Sequence, residues 1–279
     1  MVKLGGLLRE LIEELSANGI DDARFEAELI LEKTTGADRL KLLVSPEMTV
    51  DEQAVQAAWE MLKLRISGKP LQYLLGEWEF YGLPFKVGEG VLIPRQDTET
   101  LVELAAEHIN KDRLCADLCA GSGCIGISLA KLRGCQMHSY ELSEKALYYL
   151  KENIALNGAE ALVKAINADV LSQETVDSAP EYDAIVTNPP YLTPTDMSEL
   201  QAEVRCEPEM ALLGGEDGLD YYRVILRIWT KRLKKGGFIA AEIGVGQEAD
   251  VIQIFEDNGI KAEAIKDYCG KYRVVYGFK

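Results

Sequence analysis

The sequence predicts an α/β protein with a doubly wound, seven-stranded and mostly parallel sheet, preceded by a small all-helical N-terminal domain. From about residue 91 to the end, apolar runs of strand length alternate with helical stretches. Only residues 269–271 separate the last two runs, 260–267 and 272–278. That is too short for a crossover helix, so these two strands must form an antiparallel C-terminal hairpin.

Residues 1–75 contain only helical patterns. Apolar residues recur every three or four positions from Leu4 to Leu15, which indicates one buried stripe. A second helix is expected to turn Phe25, Ile30 and Leu31 inward. Few polar residues interrupt these stripes, so we do not expect a catalytic centre here. We expect a helical domain over 1–75 that binds a substrate or partner, or that packs on the main domain.

Residues 76–90 are interpreted as a hairpin linker, because two aromatic-rich runs in "GEWEFYGLPFKV" flank Gly82. Residues 91–279 then form the main domain. Its predicted strands are 114–118, 136–141, 162–167, 182–187, 237–243, 260–267 and 272–278. Its predicted helices are 97–110, 124–133, 143–157, 218–235 and 246–258.

Composition narrows the function classes. The chain is 47% hydrophobic, as in globular proteins. Its net charge of −16 disfavours direct binding of nucleic acid, although a local basic groove could still bind it. Six cysteines without a C-x-x-C pair and only two histidines indicate reduced thiols and no metal site. The N-terminus lacks a signal-peptide pattern, and no run approaches the ~20 apolar residues of a membrane span. A cytoplasmic protein without membrane contact is expected.

The stretch "ADLCAGSGCIGISLA", residues 116–130, predicts a strand, a glycine loop and a helix. Gly121 and Gly123 let the backbone approach a ligand, and the helix N-terminus favours polar groups. Glu141 stands 20 residues after Gly121, at the end of the next strand, where a carboxylate accepts hydrogen bonds from ribose hydroxyls. An adenosine-type cofactor is the preferred ligand.

Two acidic residues bear on which cofactor this is. Asp117, at the end of the first strand, can hold an ammonium group such as that of S-adenosylmethionine, whereas it would repel a pyrophosphate. Asp169 follows the third strand and can accept a hydrogen bond from the adenine amino group. A nicotinamide-dependent oxidoreductase remains an alternative, because 121–126 also reads as G-x-G-x-x-G.

The strand within "YDAIVTNPPYL", residues 182–192, stops on two prolines at the edge where open α/β sheets bind ligands. The Asn188 side-chain oxygen and the Pro189 carbonyl are two acceptors, and Pro190 restricts the direction of the second. Tyr191 can stack on a planar group. This corner suits a planar substrate nitrogen with two N–H groups, which describes an adenine amino group as well as a primary amide.

The motifs "DLCAGSGCIG", "YEL", "NAD" and "NPPY" resemble those of class I S-adenosylmethionine-dependent methyltransferases that modify planar nitrogens. Together with "QYLLGEWEFYGLPFKV", "VLIPRQDTE", "EPEMALLGGEDGLDYYR" and "EIGVGQ", nearly the whole chain resembles the HemK/PrmC family of release-factor glutamine methyltransferases. The resemblance implies methyl transfer from S-adenosylmethionine to the glutamine amide of the Gly-Gly-Gln motif in peptide chain release factors. It also implies that the helical domain makes a second contact with that protein substrate. Since the substrate is itself a large protein, we expect this chain to act as a monomer.

The site residues implied by these patterns form two groups. The expected cofactor-binding residues are Asp117, Cys119, Ala120, Gly121, Ser122, Gly123, Glu141, Asp169 and Asn188. The expected substrate-binding residues are Asn188, Pro189, Pro190 and Tyr191, of which Asn188, Pro189 and Tyr191 are the catalytic candidates. Arg95 and Thr98 are more weakly implied near the methionine end of the cofactor.

The chain departs from the family pattern D-x-G-T-G-S-G, because Cys119 and Ala120 occupy the Gly-Thr places. A Cβ at position 119 narrows the cofactor bed, but cofactor binding is expected to survive. Gln96 replaces a usual proline at a helix start, which is a structural change. An adenine-amino methyltransferase and a non-catalytic cofactor-binding protein are the remaining alternatives.

Overall fold

The computed structural model describes residues 1–279. Internal contacts divide the chain into two units. The first contains Met1–Gly76 together with the short segment Ala202–Cys206, and the second contains Glu77–Gln201 and Glu207–Lys279. The sequence offered no sign that Ala202–Cys206 would group with the N-terminal helices.

The first unit contains five helices and a two-stranded antiparallel sheet. The elements are β1 (Val2–Lys3), α1 (Leu4–Ala17), α2 (Ala23–Thr35), α3 (Arg39–Val44), β2 (Thr49–Val50), α4 (Glu52–Ile66) and α5 (Leu71–Leu75). Local chemistry sets the ends. The Asp51 carboxylate caps α4 by accepting from the Gln53 and Ala54 N–H groups, and α2 ends at Gly36, whose φ of 68° is left-handed.

The apolar stripe of α2 differs from the expectation at one residue. Ile30 and Leu31 are buried as predicted, but Phe25 is 53% exposed. The buried stripe passes through Ala23, Ala27, Ile30 and Leu31, and Phe25 lies two positions away from its start. The inward placement of Phe25 was therefore wrong.

A buried arginine ties Ala202–Cys206 into the first unit. Arg65 on α4 is only 4% exposed and donates two hydrogen bonds to Glu26, at 2.6 and 2.9 Å. Its Nη2 also lies 2.6 Å from Oε1 of Glu203. Two carboxylates thus satisfy one buried guanidinium, the condition under which a charge is tolerated in a protein interior.

The second unit is built on a hairpin and a seven-stranded sheet. The hairpin pairs β3 (Glu77–Phe80) with β4 (Leu83–Lys86). The sheet strands are β5 (Leu114–Leu118), β6 (Gln136–Glu141), β7 (Val163–Asn167), β8 (Tyr182–Thr187), β9 (Leu233–Glu242), β10 (Lys261–Lys266) and β11 (Tyr272–Phe278). Their order is β10-β11-β9-β8-β5-β6-β7, and only β11 runs antiparallel to its neighbours.

Helices cover both faces of this sheet. They are α6 (Glu99–His108), α7 (Cys124–Arg133), α8 (Glu144–Leu156), α9 (Gln173–Ser178), α11 (Asp220–Trp229) and α12 (Glu248–Asp257). The short helix α10 (Pro194–Glu199) follows β8 and has no buried residue. One apolar core joins the hairpin, α6, α7 and α8 to one face, and a second joins α9, α11 and α12 to the other. The predicted fold class, a doubly wound sheet with an antiparallel C-terminal hairpin and an N-terminal helical region, is confirmed.

Some predicted boundaries were wrong. The helix expected over 218–235 ends at Trp229, and β9 already begins at Leu233, where the chain pairs with Tyr182. Lysines favour a helix in residues 231–235, but the pairing of Leu233 with Tyr182 draws this segment into the sheet. The short helices α9 and α10 were not predicted. No helix of the chain combines the length and apolar character needed to cross a membrane.

Candidate active site

A cavity opens at the carboxyl ends of the parallel strands in the second unit. Its walls come from the turns after four neighbouring strands. The lining includes residues 119–122 after β5, 141–143 after β6, 168–170 after β7, and Asn188 with Pro190 after β8. Four turns that are far apart in the sequence therefore meet at one site, as the parallel topology requires.

The glycine loop follows a path that side chains would obstruct. Gly121 has a φ of 55° and Gly123, at the start of α7, a φ of 82°. A Cβ at Gly123 would lie 2.4 Å from Cδ1 of Leu150. A fully buried asparagine of α8 holds the loop, because Asn153 Nδ2 donates to the Ser122 carbonyl at 2.9 Å. The sequence reasoning missed Asn153.

The third glycine, Gly126, brings α7 close to the sheet. A Cβ on Gly126 would lie 2.7 Å from both Oδ2 of Asp117 and Oγ of Ser139. The Gly126 N–H donates to Asp117 Oδ2 at 3.0 Å. This glycine therefore serves the packing of the helix on the strands rather than direct contact with a ligand.

Asp117 lies behind the glycine loop and is fully buried. Its Oδ1 has no hydrogen-bond partner, and its side chain is not part of the cavity wall. Desolvation raises the pKa of Asp117 to about 7, against the opposing effect of the Gly126 hydrogen bond. The expected contact between Asp117 and an ammonium group remains a prediction.

Glu141 lies on the cavity wall and is held by two backbone donors. Its Oε2 accepts from the Gly121 N–H at 2.8 Å and its Oε1 from the Ser143 N–H at 2.7 Å. Burial raises the pKa of Glu141, and the two backbone hydrogen bonds oppose that shift. Each carboxylate oxygen keeps a further lone pair, so Glu141 can accept from the hydroxyls of a ribose.

Asp169 and Tyr221 stand beside Glu141 on the same wall. Asp169 Oδ1 accepts from the Leu171 N–H at 2.8 Å. Burial raises the pKa of Tyr221 to about 12, and the charges of Asp169 and Glu141 act in the same direction. The sequence reasoning missed Tyr221, although the "LDYYR" motif that contains it was part of the family resemblance.

Cys119 lines the cavity with a left-handed backbone, at a φ of 61°. Only two other non-glycine residues of the chain have a positive φ. A Cβ is disfavoured in this region, which explains why the family pattern has glycine here. The departure at Cys119 is therefore a point of backbone strain.

The corner after β8 is fixed by hydrogen bonds on each side. Thr187 Oγ1 donates to the Leu118 carbonyl at 2.9 Å, joining the ends of β8 and β5. Asn188 Nδ2 donates to Thr98 Oγ1 at 3.4 Å. Asn188 and Thr98 both line the cavity, whereas no hydrogen bond of the chain uses the Pro189 carbonyl. The Asn188 Oδ1 and the Pro189 carbonyl therefore accept no hydrogen bond within the chain.

The backbone of Tyr191 is anchored to the loop after β9. Gln247 Nε2 donates to the Tyr191 carbonyl at 3.1 Å, while its Oε1 accepts from the Gly244 N–H at 2.9 Å. A Cβ on Gly244 would lie 3.1 Å from Cδ2 of the Tyr191 ring. Gln247 and Gly244 belong to the "EIGVGQ" motif, which therefore supports the corner.

Residues 207–211 form a wall that the sequence reasoning left without a role. The buried carboxylate of Glu207 accepts from the Ile93 N–H at 3.1 Å and forms an ion pair with Arg95. Pro208, Met210 and Ala211 line the cavity beyond it. Glu207 thus joins two segments of the cavity wall.

The structure brings most of the predicted site residues to one cavity. Those on its wall are Cys119, Ala120, Gly121, Ser122, Glu141, Asp169, Asn188 and Pro190. Those outside the wall are Asp117, Gly123, Pro189 and Tyr191. The carboxylate of Glu141, the glycine loop and apolar lining residues such as Ile125 and Leu142 fit an adenosine-type cofactor such as S-adenosylmethionine.

Comparison with protein families gives two matches. Residues 6–76 match the PrmC N-terminal domain, and residues 95–205 match the methyltransferase small domain. The release factor glutamine methyltransferase of Clostridium botulinum is 37% identical over 279 residues, covering 96% of this chain and 98% of that protein. The protein of the same description from Aquifex aeolicus is 34% identical and covers 99% and 98%.

Solved structures resemble the fold at low identity. A methyltransferase from Pyrococcus furiosus superposes with a TM-score of 0.54 at 16% identity, covering 72% of this chain and 90% of that one. A precorrin-6y C5,15-methyltransferase from Geobacter metallireducens gives a TM-score of 0.51 at 15% identity, covering 70% and 94%. These likenesses establish the fold alone.

Proposed function

The chain belongs to the release factor glutamine methyltransferase family, and from that premise we propose that it methylates the side-chain amide nitrogen of glutamine in the Gly-Gly-Gln motif of peptide chain release factors, with S-adenosylmethionine as methyl donor. One observation carries the proposal. Asn188, whose Oδ1 accepts no hydrogen bond within the chain, lines the same cavity as the glycine loop and Glu141. Cofactor site and amide site are therefore adjacent.

The cavity residues divide the binding of the cofactor among them. Glu141 would accept hydrogen bonds from the ribose hydroxyls, Asp169 and Tyr221 would flank the adenine end, and the backbone of 119–123 would hold the methionine end. When bound, S-adenosylmethionine supplies a methyl group that its sulfonium has already activated.

Asn188 and Pro189 orient the substrate nitrogen. A primary amide has two N–H donors, and the Asn188 Oδ1 and the Pro189 carbonyl accept one each. Drawing on both donors localises electron density on the nitrogen as it leaves planarity, so these acceptors stabilise the transition state more than the ground state. Correct alignment can contribute ~7–11 kcal/mol to such a transfer. A strong base is not needed, since the nitrogen becomes acidic only after methylation.

Tyr191 completes the corner as a flat wall. Its ring is held from behind by Gly244, and its carbonyl by Gln247. Stacking on the planar amide would exclude water from the reacting nitrogen.

The protein substrate needs a surface larger than its tripeptide motif. A specific protein interface buries about 800 Å² on each partner, which a loop of three residues does not provide. We propose that the N-terminal unit supplies the additional contact and that the enzyme acts as a monomer in the cytoplasm. The net charge of −16 argues against direct contact with nucleic acid.

The substrate assignment is tested with methyl-labelled S-adenosylmethionine and purified release factor. We expect label in the Gly-Gly-Gln peptide, and none when the motif glutamine is replaced by alanine. Label in the adenines of added DNA or RNA, without label in the peptide, would show that the corner serves an adenine amino group instead. Calorimetric titration with NAD and with S-adenosylmethionine separates the oxidoreductase alternative, since only the second should bind.

A further inference from the structure

Glu242 and Asn188 leave neighbouring parallel strands at the same level. In the register of β8 and β9, Thr187 lies opposite Ala241, so the next residue on each strand is Asn188 and Glu242. Neighbouring residues of parallel strands point to the same side of the sheet. Glu242 therefore stands directly beside the proposed catalytic asparagine.

The carboxyl of Glu242 is 1% exposed, and its Oε2 has no hydrogen-bond partner. The arginine nearest to it does not neutralise it directly, because Arg273 pairs with Asp97 at 3.0 Å and with Asp267 at 3.2 Å. A buried, unpaired carboxylate oxygen is costly, and such groups in a native protein call for an explanation.

Several charged and polar side chains surround the Glu242 carboxyl and act on its pKa. Burial raises its pKa to about 7, and the hydroxyl of Thr98, the charge of Arg273 and the amide of Asn188 oppose that shift. Asp97 acts in the same direction as burial. From the other elements, Tyr191, Tyr222 and Cys124 also face its charge. Among all these groups, the proposed reaction uses Asn188 and Tyr191, and of these two only Asn188 opposes the shift in the pKa of Glu242.

We propose that Glu242 is a positioning residue that fixes the orientation of the Asn188 side-chain amide, an inference that rests on the proposed function. An asparagine amide presents an acceptor on one side and a donor on the other. If Asn188 turned its NH₂ group to the substrate, it would oppose the N–H groups of the substrate amide. The Glu242 carboxyl and the Thr98 oxygen, which Asn188 Nδ2 contacts at 3.4 Å, hold the NH₂ group on their side. The Asn188 Oδ1 then faces the substrate.

The variant Glu242→Gln tests this role. Glutamine has nearly the same shape, but its own NH₂ group can donate to Asn188 Oδ1 and favour the wrong orientation. We expect kcat to fall at least tenfold, while the Kd for S-adenosylmethionine and the KM for the release factor stay within twofold. The melting temperature should be unchanged or higher, because a buried unpaired amide is less costly than a buried unpaired carboxylate.

Glu248→Gln is the matched control. Glu248 begins α12 and also has a buried Oε2 without a partner, but it lies outside the β8–β9 register that places Glu242 beside Asn188. Its variant should keep the kcat of the wild type. A kcat of Glu242→Gln within twofold of wild type would overturn the proposal, as would a loss of kcat matched by losses of melting temperature and cofactor affinity. If the wild type methylates a substrate other than a release factor, the proposed function fails. The kcat of Glu242→Gln relative to wild type on that other substrate still tests the positioning role of Glu242, so the two failures can be told apart.

Discussion

The carboxylate of Glu207 forms an ion pair with Arg95 in which the glutamate side chain is 1% exposed and the arginine side chain 38%. The same carboxylate accepts from the Ile93 N–H at 3.1 Å. Ile93, Arg95 and the residues that follow Glu207 all line the cofactor cavity. One buried charge therefore connects two walls that are more than a hundred residues apart in the chain.

Replacing Glu207 with alanine should weaken cofactor binding. Loss of one partner of a buried pair leaves the other uncompensated at a cost of about 3–5 kcal/mol, and the partial exposure of Arg95 reduces this to roughly 1–3 kcal/mol. We expect the Kd for S-adenosylmethionine, measured by calorimetry, to rise on the order of tenfold. Glu209→Ala, at an exposed position of the same segment, is the control and should bind like the wild type. Equal affinity of Glu207→Ala and wild type would contradict this role.

Gly126→Ala should loosen α7. The new Cβ would fall 2.7 Å from Asp117 Oδ2 and Ser139 Oγ, both in the sheet, and overpacking of this kind costs roughly 1–3 kcal/mol. Denaturant unfolding should show that loss together with weaker cofactor binding. Gly6→Ala in α1 is the contrast, because a Cβ there meets nothing within 4 Å and alanine favours a helix by about 1 kcal/mol. A Gly126→Ala protein as stable as the wild type would show that the close approach is not needed.

The strain at Cys119 predicts an order of stability. Glycine removes the left-handed penalty of ~1–2 kcal/mol, partly offset by its greater freedom in the unfolded chain. Valine, which is branched at Cβ, increases the penalty. The melting temperature of Cys119→Gly should equal or exceed that of the wild type, and that of Cys119→Val should be lower. The glycine variant should still bind the cofactor. A valine variant as stable as the glycine variant would be inconsistent with backbone strain at this position.

Periodicity in the sequence was enough to predict the sheet. Runs such as 114–118 and 182–187 are apolar on both sides because helices cover both faces, and they appear as β5 and β8 with the predicted limits. The glycine loop and Glu141 could also be placed, since parallel strands present their carboxyl ends at one edge.

Tertiary contacts decided what periodicity missed. Nothing local in the sequence places Glu207 against Ile93 or Asn153 against the Ser122 carbonyl, because each pair is joined only by the folded sheet. The full burial of Asp117 likewise depends on Gly126, nine residues later, packing over it. Local charge and propensity carry no information on such contacts between distant segments.

Buried carboxyls should make the fold more stable at moderately acid pH. Burial raises the pKa of Asp117 and of Glu242 to about 7, so the folded protein binds protons that the unfolded chain has already released near pH 4. This contribution is present at low pH and is lost as the pH rises through 7. At about 1.4 kcal/mol per pH unit, Asp117 should favour the folded state by roughly 2–3 kcal/mol more at pH 5 than at pH 8.

The comparison of wild type with Asp117→Asn isolates that contribution. The lowered pKa of His138 acts in the opposite direction but is common to both proteins. The difference in unfolding free energy between wild type and variant should therefore move in favour of wild type as the pH falls from 8 to 5. A difference that does not change with pH would mean that Asp117 is ionised in the folded state throughout this range.

Mass spectrometry of the Gly-Gly-Gln peptide tests the central claim most directly. Release factor is incubated with S-adenosylmethionine and with the wild type, Asn188→Ala or Asn110→Ala, the last at an exposed asparagine outside the cavity. The wild type and Asn110→Ala should add one methyl group to the motif glutamine at equal rates. The rate with Asn188→Ala should be lower by on the order of 100-fold, as for loss of a preorganised polar group. Two outcomes would contradict the assignment of this corner to glutamine methylation. One is a motif glutamine that stays unmodified although the wild type methylates another substrate. The other is a rate with Asn188→Ala equal to that of the wild type.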